Sequence, residues 1–189
     1  MVQSIQTVSC LQKIMKILHL QRKAWEDDEM SSKNAAYWIR ELNLKKHPEG
    51  GYYKEVYRSN AEVDIQGRTR SASTSIYFLL SANEFSSLHQ IQSDELWHFY
   101  DGSPLTVHRL CSDGSYRFFV LGRNIERGEH LQNWVPAGDW FGATVETGYA
   151  LVGCTVAPGF EFQDFRMATR EELLAVYPQQ ASVVHRLTH

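Results

Sequence analysis

The sequence contains few of the features that mark specialised protein classes. It has only three cysteines in 189 residues, Cys10, Cys111 and Cys154, which are too few and too scattered for a disulfide framework or a paired-cysteine zinc site. No stretch approaches the roughly 18 consecutive apolar residues of a transmembrane helix, so we expect no membrane association. The net charge of −3 supplies no basic field for a phosphate backbone, so nucleic acid is not expected as a partner.

The first 34 residues form a separate N-terminal extension. They lack the continuous apolar core of a secretory signal, because Lys13, Lys16 and His19 interrupt it. The first 25 residues contain no acidic residue, and their apolar residues recur at helical spacing, which fits either a mitochondrial presequence or an accessory helix. The acidic run at 26–29 indicates an exposed linker. We expect a cytoplasmic protein, with mitochondrial import as the open alternative.

Residues 35–187 have the pattern of a single β-rich domain with short helices at both ends. Helical spacing of apolar residues predicts a first helix starting near Ala35, and the capping-box pair Thr169 and Glu172 predicts a last helix at about 170–176. Between them, short β-rich segments separated by turn residues indicate an all-β sandwich or closed barrel. The predicted strands are Tyr52–Arg58, Ser73–Leu80, Glu84–Gln90, Leu96–Tyr100, Leu105–Leu110, Tyr116–Gly122 and Tyr149–Val156.

A histidine and a glutamate stand out because they fall on the apolar faces of consecutive predicted strands. Alternation places His89 with Ile91 on one face, and Glu95 with Trp97 and Phe99 on a face of the next strand. An antiparallel pair of these strands would bring the imidazole and the carboxylate together. A carboxylate on an apolar face must be paired or ligated, although an exposed surface pair remains the alternative.

The same residues resemble a known superfamily. His89, Glu95 and Gly102 are spaced like the first cupin motif, and Pro136–Phe141 resembles the second. Over residues 35–187 the chain is most similar to the Cupin_5 family, long labelled a domain of unknown function. The motifs that carry this similarity are His47–Tyr52, Ser75–Leu80, Asp94–Phe99, Pro136–Gly142 and Val152–Phe160. The resemblance implies a cupin-type double-stranded β-helix (jelly-roll barrel), a homodimer, and no firmly shared reaction.

The chain departs from the cupin pattern at the metal-ligand positions. Ile91 stands where metal-binding cupins have a second histidine, and Phe141 stands where they have a third. Only two of the four ligands remain, and His98 cannot replace one, because strand alternation directs it away from Glu95. Tight binding of a transition metal normally needs three or four protein ligands. We therefore expect a pocket without a tightly held metal and without another cofactor.

The expected pocket has three catalytic candidates. His89 is the proposed general base, Glu95 its orienting group or a second acid–base group, and Tyr77 carries a hydroxyl that could act as an acid. Glu161 and Asp164 are candidates for closing the pocket mouth, whereas His47 is interpreted as a structural turn residue. The ligand-binding candidates, for which barrel core, surface or dimer contact is the competing interpretation, are Trp97, His98, Trp140, Phe141, Arg58 and Gln132.

These features predict a small-molecule ligand inside the barrel. By analogy with metal-free cupins such as the dTDP-4-dehydrorhamnose 3,5-epimerases, the leading hypothesis is an epimerase or isomerase acting on a carbohydrate-like substrate. The alternative is a metabolite-binding module without catalysis. A metal-dependent dioxygenase is disfavoured by Ile91 and Phe141.

Overall fold

The computed structural model describes residues 33–65 and 67–189. The predicted presequence or accessory helix and the acidic linker lie outside these residues. The described α-helices are α1 (Ala35–Glu41), α2 (Arg170–Val176) and α3 (Ala181–Arg186). None of the described helices is long and apolar enough to cross a membrane.

Thirteen strands in the described residues form antiparallel sheets, so the predicted all-β barrel with short flanking helices is confirmed. One sheet has six strands in the order β1-β2-β5-β12-β7-β10, the facing sheet has five in the order β13-β6-β11-β8-β9, and β3 and β4 form a separate hairpin. The strands are β1 (Lys45–Lys46), β2 (Tyr52–Arg58), β3 (Glu62–Ile65), β4 (Arg68–Ser71), β5 (Thr74–Ser81), β6 (Phe85–Gln90), β7 (Asp94–Gly102), β8 (Leu105–Leu110), β9 (Tyr116–Leu121), β10 (Gln132–Val135), β11 (Trp140–Val145), β12 (Tyr149–Ala157) and β13 (Arg166–Met167).

The core lies between the two large sheets and follows directly from strand alternation. In β7, Glu95, Trp97 and Phe99 are buried, while Leu96 and Tyr100 are exposed on the other face. The indole of Trp97 packs edge-on against Phe141 of the facing sheet at 6.4 Å between ring centroids. Inward-facing aliphatic and aromatic side chains of both sheets complete this core.

The structure corrects the predicted pairing of the two strands that carry His89 and Glu95. β6 pairs with β11 and β13, whereas β7 pairs with β12 and β10, so the two strands belong to different sheets. The short connection between them crosses from one sheet to the other instead of forming a hairpin turn. Alternation still directs both side chains inward, because it depends only on each strand's own geometry. His89 and Glu95 therefore face a common interior from opposite walls.

Helices cover the outer faces of both sheets, to different extents. Against the five-stranded sheet, α2 and α3 bury a second apolar cluster that includes Leu88, Leu110 and Trp140. The capping box of α2 forms as predicted: Glu172 N–H donates to the Thr169 hydroxyl, and Thr169 N–H donates to the Glu172 carboxylate. On the six-stranded sheet, α1 covers only a smaller cluster around β5 and β12.

Candidate functional site

A cavity of about 280 Å³ occupies one end of the barrel interior and opens to the surface. The six-stranded sheet supplies most of its wall, β6 supplies His89, and residues 160–165, which follow β12, border it. Its lining combines buried titratable groups with aromatic rings and consists of Lys45, His47, Glu49, Tyr53, Glu55, Arg58, Thr74, Ile76, Phe78, His89, Ile91, Glu95, Cys154, Val156, Phe160, Glu161, Phe162 and Phe165.

The turn between β1 and β2 brings His47 and Glu49 into this cavity. Gly50 and Gly51 both have positive φ values, 115° and 68°, and a Cβ atom at Gly50 would lie 2.1 Å from the carbonyl oxygen of Phe85. Only glycine allows the turn to approach β6 this closely. The Ser87 N–H then donates to the Glu49 carbonyl at 2.8 Å, which fixes the turn against the wall that carries the active-site candidates.

Glu49 and His89 form a buried pair at the floor of the cavity. The Nδ1–H of His89 donates to the carbonyl oxygen of Ser87 at 2.8 Å, because a carbonyl can only accept. Nε2 therefore carries a lone pair, and it lies 3.2 Å from Oε2 of Glu49. The other carboxyl oxygen of Glu49 accepts a 2.9 Å hydrogen bond from the Ser86 hydroxyl. This geometry suits a neutral imidazole beside a protonated carboxyl group.

Burial shifts the pKa values of His89 and Glu49 so that each group favours its uncharged form. It lowers the pKa of His89 to about 3, although the hydrogen bond to the Ser87 carbonyl partly opposes the shift. Burial also raises the pKa of Glu49 well above its ordinary value, and the nearby Glu95 carboxylate adds to this shift. Both shifts favour the uncharged forms, with a proton on the Glu49 carboxyl and none added to His89.

Glu95 faces the cavity from the opposite sheet. It is only 7% exposed, and burial raises its pKa to about 7, a shift that a hydrogen bond from the Cys154 thiol partly offsets. Burial likewise raises the pKa of the Cys154 thiol well above its ordinary value, so that group remains protonated. A carboxyl group with a pKa of about 7 can both accept and donate a proton under physiological conditions.

The cavity mouth carries charge that is already balanced within the protein. Arg58 donates to Glu55 at 2.8 Å and to Glu161 at 2.9 Å, and it also bonds the backbone carbonyl of Phe160. These contacts tie the segment 158–165 to β2 at the edge of the cavity. Asp164 anchors the far end of this segment, because it forms ion pairs with Arg68 and Arg70 of β4 instead of lining the cavity.

The side chains of the cavity do not fit the metal ion that the cupin motifs would imply. Ile91 lines the wall and Phe141 is fully buried beside His89, at the two positions where ligand histidines are missing. Oε2 of Glu49 lies between the imidazoles of His89 and His47, at 3.2 and 3.4 Å, so these groups face one another and not a common centre. Within residues 33–65 and 67–189, no three His, Cys, Asp or Glu side chains are placed to hold one ion.

Three of the nine predicted site residues line the cavity: His89, Glu95 and Arg58. Trp97 and Phe141 lie beneath it in the barrel core, at 1% and 0% exposure, so they support the cavity floor and do not reach a ligand. These two residues were predicted to flank Glu95 or to occupy a ligand position. Their size explains the difference, since each ring fills the space between the sheets.

Four other predicted residues lie outside the cavity. Tyr77 points outward from β5, because its neighbours Ile76 and Phe78 face inward, and it packs against the Tyr100 ring. His98 also faces outward, where its Nε2 lies 3.3 Å from the Thr155 hydroxyl. The remaining two are Trp140, which packs under the C-terminal helices, and Gln132, which is exposed on the edge strand β10.

Sequence reasoning missed two of the buried titratable groups. Glu49 was not singled out, and His47 was interpreted as structural, although both belong to the His47–Tyr52 motif. The available signal was the pair of glycines, which indicates a turn pressed against another chain segment. Cys154 was interpreted as a small core residue, and it is buried, but it also borders the cavity beside Glu95.

Comparison with known proteins places this barrel in a family. The model of Cupin_5, described as Cupin superfamily (DUF985), matches residues 36–168. The chain belongs to the Cupin_5 family. This confirms the resemblance and the cupin-type barrel that the motifs predicted.

Similar proteins come from several organisms. A hypothetical protein from Leishmania major is 39% identical, with a TM-score of 0.80, and the match covers 83% of this chain and 99% of that one. A protein of Shewanella oneidensis is 40% identical, with a TM-score of 0.78, and the match covers 83% and 98%. An uncharacterized protein of Saccharomyces cerevisiae is 27% identical over 164 residues, which are 76% of this chain and 81% of the yeast protein.

Proposed function

We propose that this cupin is an epimerase or isomerase that moves a proton at a carbon next to a carbonyl group in a small, carbohydrate-like substrate. The observation that carries the proposal is the placement of Glu95 on one sheet and the Glu49–His89 pair by the other, all buried and facing one cavity. Acid–base groups on opposite sides of a substrate can remove a proton from one face and return it to the other. A cavity of about 280 Å³ suits a substrate of monosaccharide size.

Glu95 is the general base in this proposal, and His89 takes a supporting role. The lone pair of His89 already faces Glu49, and burial lowers the pKa of His89 to about 3, so its imidazole is a weak base. Glu95 has a pKa of about 7, and in the described part of the chain its hydrogen-bond partner is the Cys154 thiol, which leaves its carboxylate able to approach a substrate. The sequence-based assignment of the base to His89 is therefore replaced.

The proposed reaction consists of two proton transfers at the substrate. The Glu95 carboxylate removes a proton from the substrate carbon, and the electron pair of that C–H bond moves towards the neighbouring carbonyl oxygen. The protonated Glu49 carboxyl then gives a proton to the same carbon from the opposite face or to the adjacent one, and the carbonyl re-forms. Glu95 ends protonated and Glu49 ends as a carboxylate beside His89, and exchange with water restores both groups.

The test is hydrogen–deuterium exchange at substrate carbon, measured by NMR in D₂O with a panel of aldoses, ketoses and deoxy-keto sugars. We expect enzyme-dependent exchange with at least one compound, and a decrease of about 10²- to 10⁴-fold in Glu95→Gln. Glu126→Gln is the matched control, because Glu126 lies in an exposed turn of 3₁₀ helix outside the cavity. Exchange that persists unchanged in Glu95→Gln, or that occurs with no compound, would contradict the proposal.

A metabolite-binding module without catalysis is the second candidate. The aromatic segment at the mouth favours it, because Phe160, Phe162 and Phe165 offer binding surface without any group that transfers protons. Binding and proton exchange measured with the same compound distinguish the two candidates. A compound that binds in the cavity but exchanges no proton at carbon, in either the native chain or its variants, supports the binding module.

We also propose that the protein is a homodimer that pairs through the outer face of the six-stranded sheet. Strand register aligns Trp134, Leu96, Thr155, Ser75 and Tyr57 in one row across five strands of that face. The row ends in side chains that are 56% and 53% exposed, Trp134 and Tyr57. Leu96 is also exposed, and large apolar side chains exposed together on one sheet face are typical of a protein interface. Light scattering that gives a monomer mass at micromolar concentration would contradict this.

A further inference from the structure

We propose that His47 is a further catalytic residue, a neutral electrophile whose Nε2–H stabilises the oxygen that becomes negative during the reaction. The inference rests on the proposed function, because that oxygen exists only if a proton is removed beside a carbonyl. His47 would stabilise the negative charge that this removal creates. The sequence had indicated only a structural role for this residue.

The backbone around His47 fixes which ring nitrogen carries the proton. The N–H of Glu49 donates to Nδ1 of His47 at 3.4 Å, so Nδ1 must hold a lone pair. A neutral imidazole has one proton, which is then on Nε2. The turn that sets this arrangement is closed by two further backbone bonds, His47 N–H to Gly51 and Gly50 N–H to the His47 carbonyl, both at 3.1 Å.

The surroundings of the ring keep it uncharged. Its side chain is only 7% exposed, and aromatic rings pack around it: Tyr53 at 4.5 Å, Phe165 at 5.8 Å, Phe78 at 6.2 Å and Phe162 at 6.4 Å between centroids. Burial lowers the pKa of His47 to about 4. The nearest acidic group is Glu49, whose pKa burial raises well above its ordinary value, so it offers little charge to favour an imidazolium.

The donor on Nε2 is free to act on a ligand. His47 lines the cavity together with Glu95, and within the described part of the chain Nε2 makes no hydrogen bond. Nε2 is also not a fully buried atom without a partner, so it is open to the cavity. An N–H group that is uncommitted and open to a cavity is prepared to bond a substrate oxygen.

The chemistry that His47 would supply is a hydrogen bond without net proton transfer. As Glu95 takes the proton from carbon, negative charge develops on the neighbouring oxygen, and the Nε2–H of His47 donates to it. When Glu49 returns a proton to carbon, the charge disappears and the bond weakens. A neutral imidazole held by its backbone is suited to this role, because a donor of fixed direction acts strongly in a buried site.

The competing explanation is that His47 only fills space among the aromatic rings. Two substitutions separate the explanations. His47→Phe keeps the planar shape and removes the donor, whereas His47→Gln places an amide N–H near the position of Nε2 and keeps the donor while losing the ring. A purely structural ring should tolerate Phe better than Gln, and a catalytic donor should show the opposite order.

The experiment combines ring NMR with the exchange assay on the full-length chain. We expect the ¹⁵N signals of His47 to report a neutral imidazole with its proton on Nε2 from pH 6 to 9. We expect exchange at substrate carbon to fall by about 10²- to 10³-fold in His47→Phe and by less than about tenfold in His47→Gln. An imidazolium, a proton on Nδ1, or an equal loss in the two variants would overturn the inference.

The outcomes separate failure of this inference from failure of the proposed function. If the native chain exchanges a proton at carbon and His47→Phe exchanges it equally fast, His47 is structural and the proposed function stands. If the native chain exchanges no proton with any compound of the panel, the proposed function fails and the role of His47 fails with it. Unfolding curves of both variants show whether either has lost its fold.

Discussion

The interior of the barrel has an apolar half and a polar half, and inward positions of the same strands contribute to both. In β7, Glu95 reaches the cavity, while Trp97 and Phe99 enter the core two and four residues later. Across the interior, His89 of β6 and Phe141 of β11 are register partners, with ring centroids 4.1 Å apart. Strand alternation thus directs both ionisable and apolar side chains inward, and the identity of each side chain decides which half it belongs to.

Burial of side chains stabilises the fold in the apolar half of the interior and destabilises it in the polar half. Burying apolar side chains contributes roughly 25 cal/mol for each Å² removed from water, so the apolar half stabilises the fold. Burying ionisable groups has the opposite effect, because each must lose its charge or find a partner. In the polar half, Glu49, Glu95 and Cys154 all have raised pKa values for this reason. The fold tolerates this cost at the place where we propose chemistry occurs.

The largest effect on stability is expected in the apolar half. Phe141→Ala should lower the free energy of unfolding by about 3–5 kcal/mol, because a fully buried ring between the sheets leaves a cavity that its neighbours cannot fill. Denaturant unfolding measures this. Phe118→Ala is the matched control, since Phe118 is 62% exposed on β9, and it should change stability by less than about 0.5 kcal/mol. Equal losses in the two variants would show that the interior packing is not as described.

Replacing Glu95 in the polar half by glutamine should stabilise the protein, and only at high pH. Glu95 has a pKa of about 7 in the folded chain and about 4.3 when unfolded, so its neutral form favours folding. That contribution is complete below pH 4 and is lost as the pH rises through 7, which costs up to about 4 kcal/mol at pH 8 or above. Glu95→Gln removes this loss. Its free energy of unfolding should exceed that of the native chain at pH 8 by about 1–3 kcal/mol.

The pH dependence of that gain is the check on its cause. At pH 4.5, where Glu95 is already neutral in the folded chain, the Glu95→Gln and native chains should unfold at nearly the same denaturant concentration. The surface control Glu126→Gln should show no gain at either pH. A constant stabilisation across the whole range would point to improved packing by the amide and not to the titration of a buried carboxyl.

The smallest effect is expected at the cavity mouth, where water reaches both partners. Arg58→Gln removes the pairs with Glu55 and Glu161, whose side chains are 41% and 38% exposed. Exposed pairs contribute little, so the free energy of unfolding should fall by less than about 1 kcal/mol, and less still in high salt. A loss of several kcal/mol in a thermal or denaturant titration would mean that the segment 158–165 is part of the cooperative core.

The local parts of this structure could be predicted from sequence. The bounds of β2, β8 and α2 agree with the predicted ones to the residue, because turn residues and caps mark them. The inward direction of His89 and Glu95 was also predictable, since alternation needs no knowledge of neighbouring strands. These features fix half of the candidate site: two of its acid–base groups and the side of the strand they face.

The non-local parts could not be predicted in the same way. Which strand pairs with which depends on the whole barrel, so the hairpin expected between His89 and Glu95 was wrong and the true partner of His89, Glu49, was missed. The strands β10 and β11 and the helix α3 were also not predicted, although the second cupin motif lies at the start of β11. A pair of glycines predicts a turn, but it does not predict which strand the turn will pack against.

The edge-on contact between Trp97 and Phe141 has a consequence for how the chemistry can be tuned. These buried rings meet between the two sheets, Trp97 two residues from Glu95 on β7 and Phe141 beside His89, so we expect their bulk to influence the spacing of these two groups. Packed interiors transmit such changes instead of absorbing them. If the proposed reaction occurs, a change of ring size there should alter its rate although neither proton-transferring group is replaced.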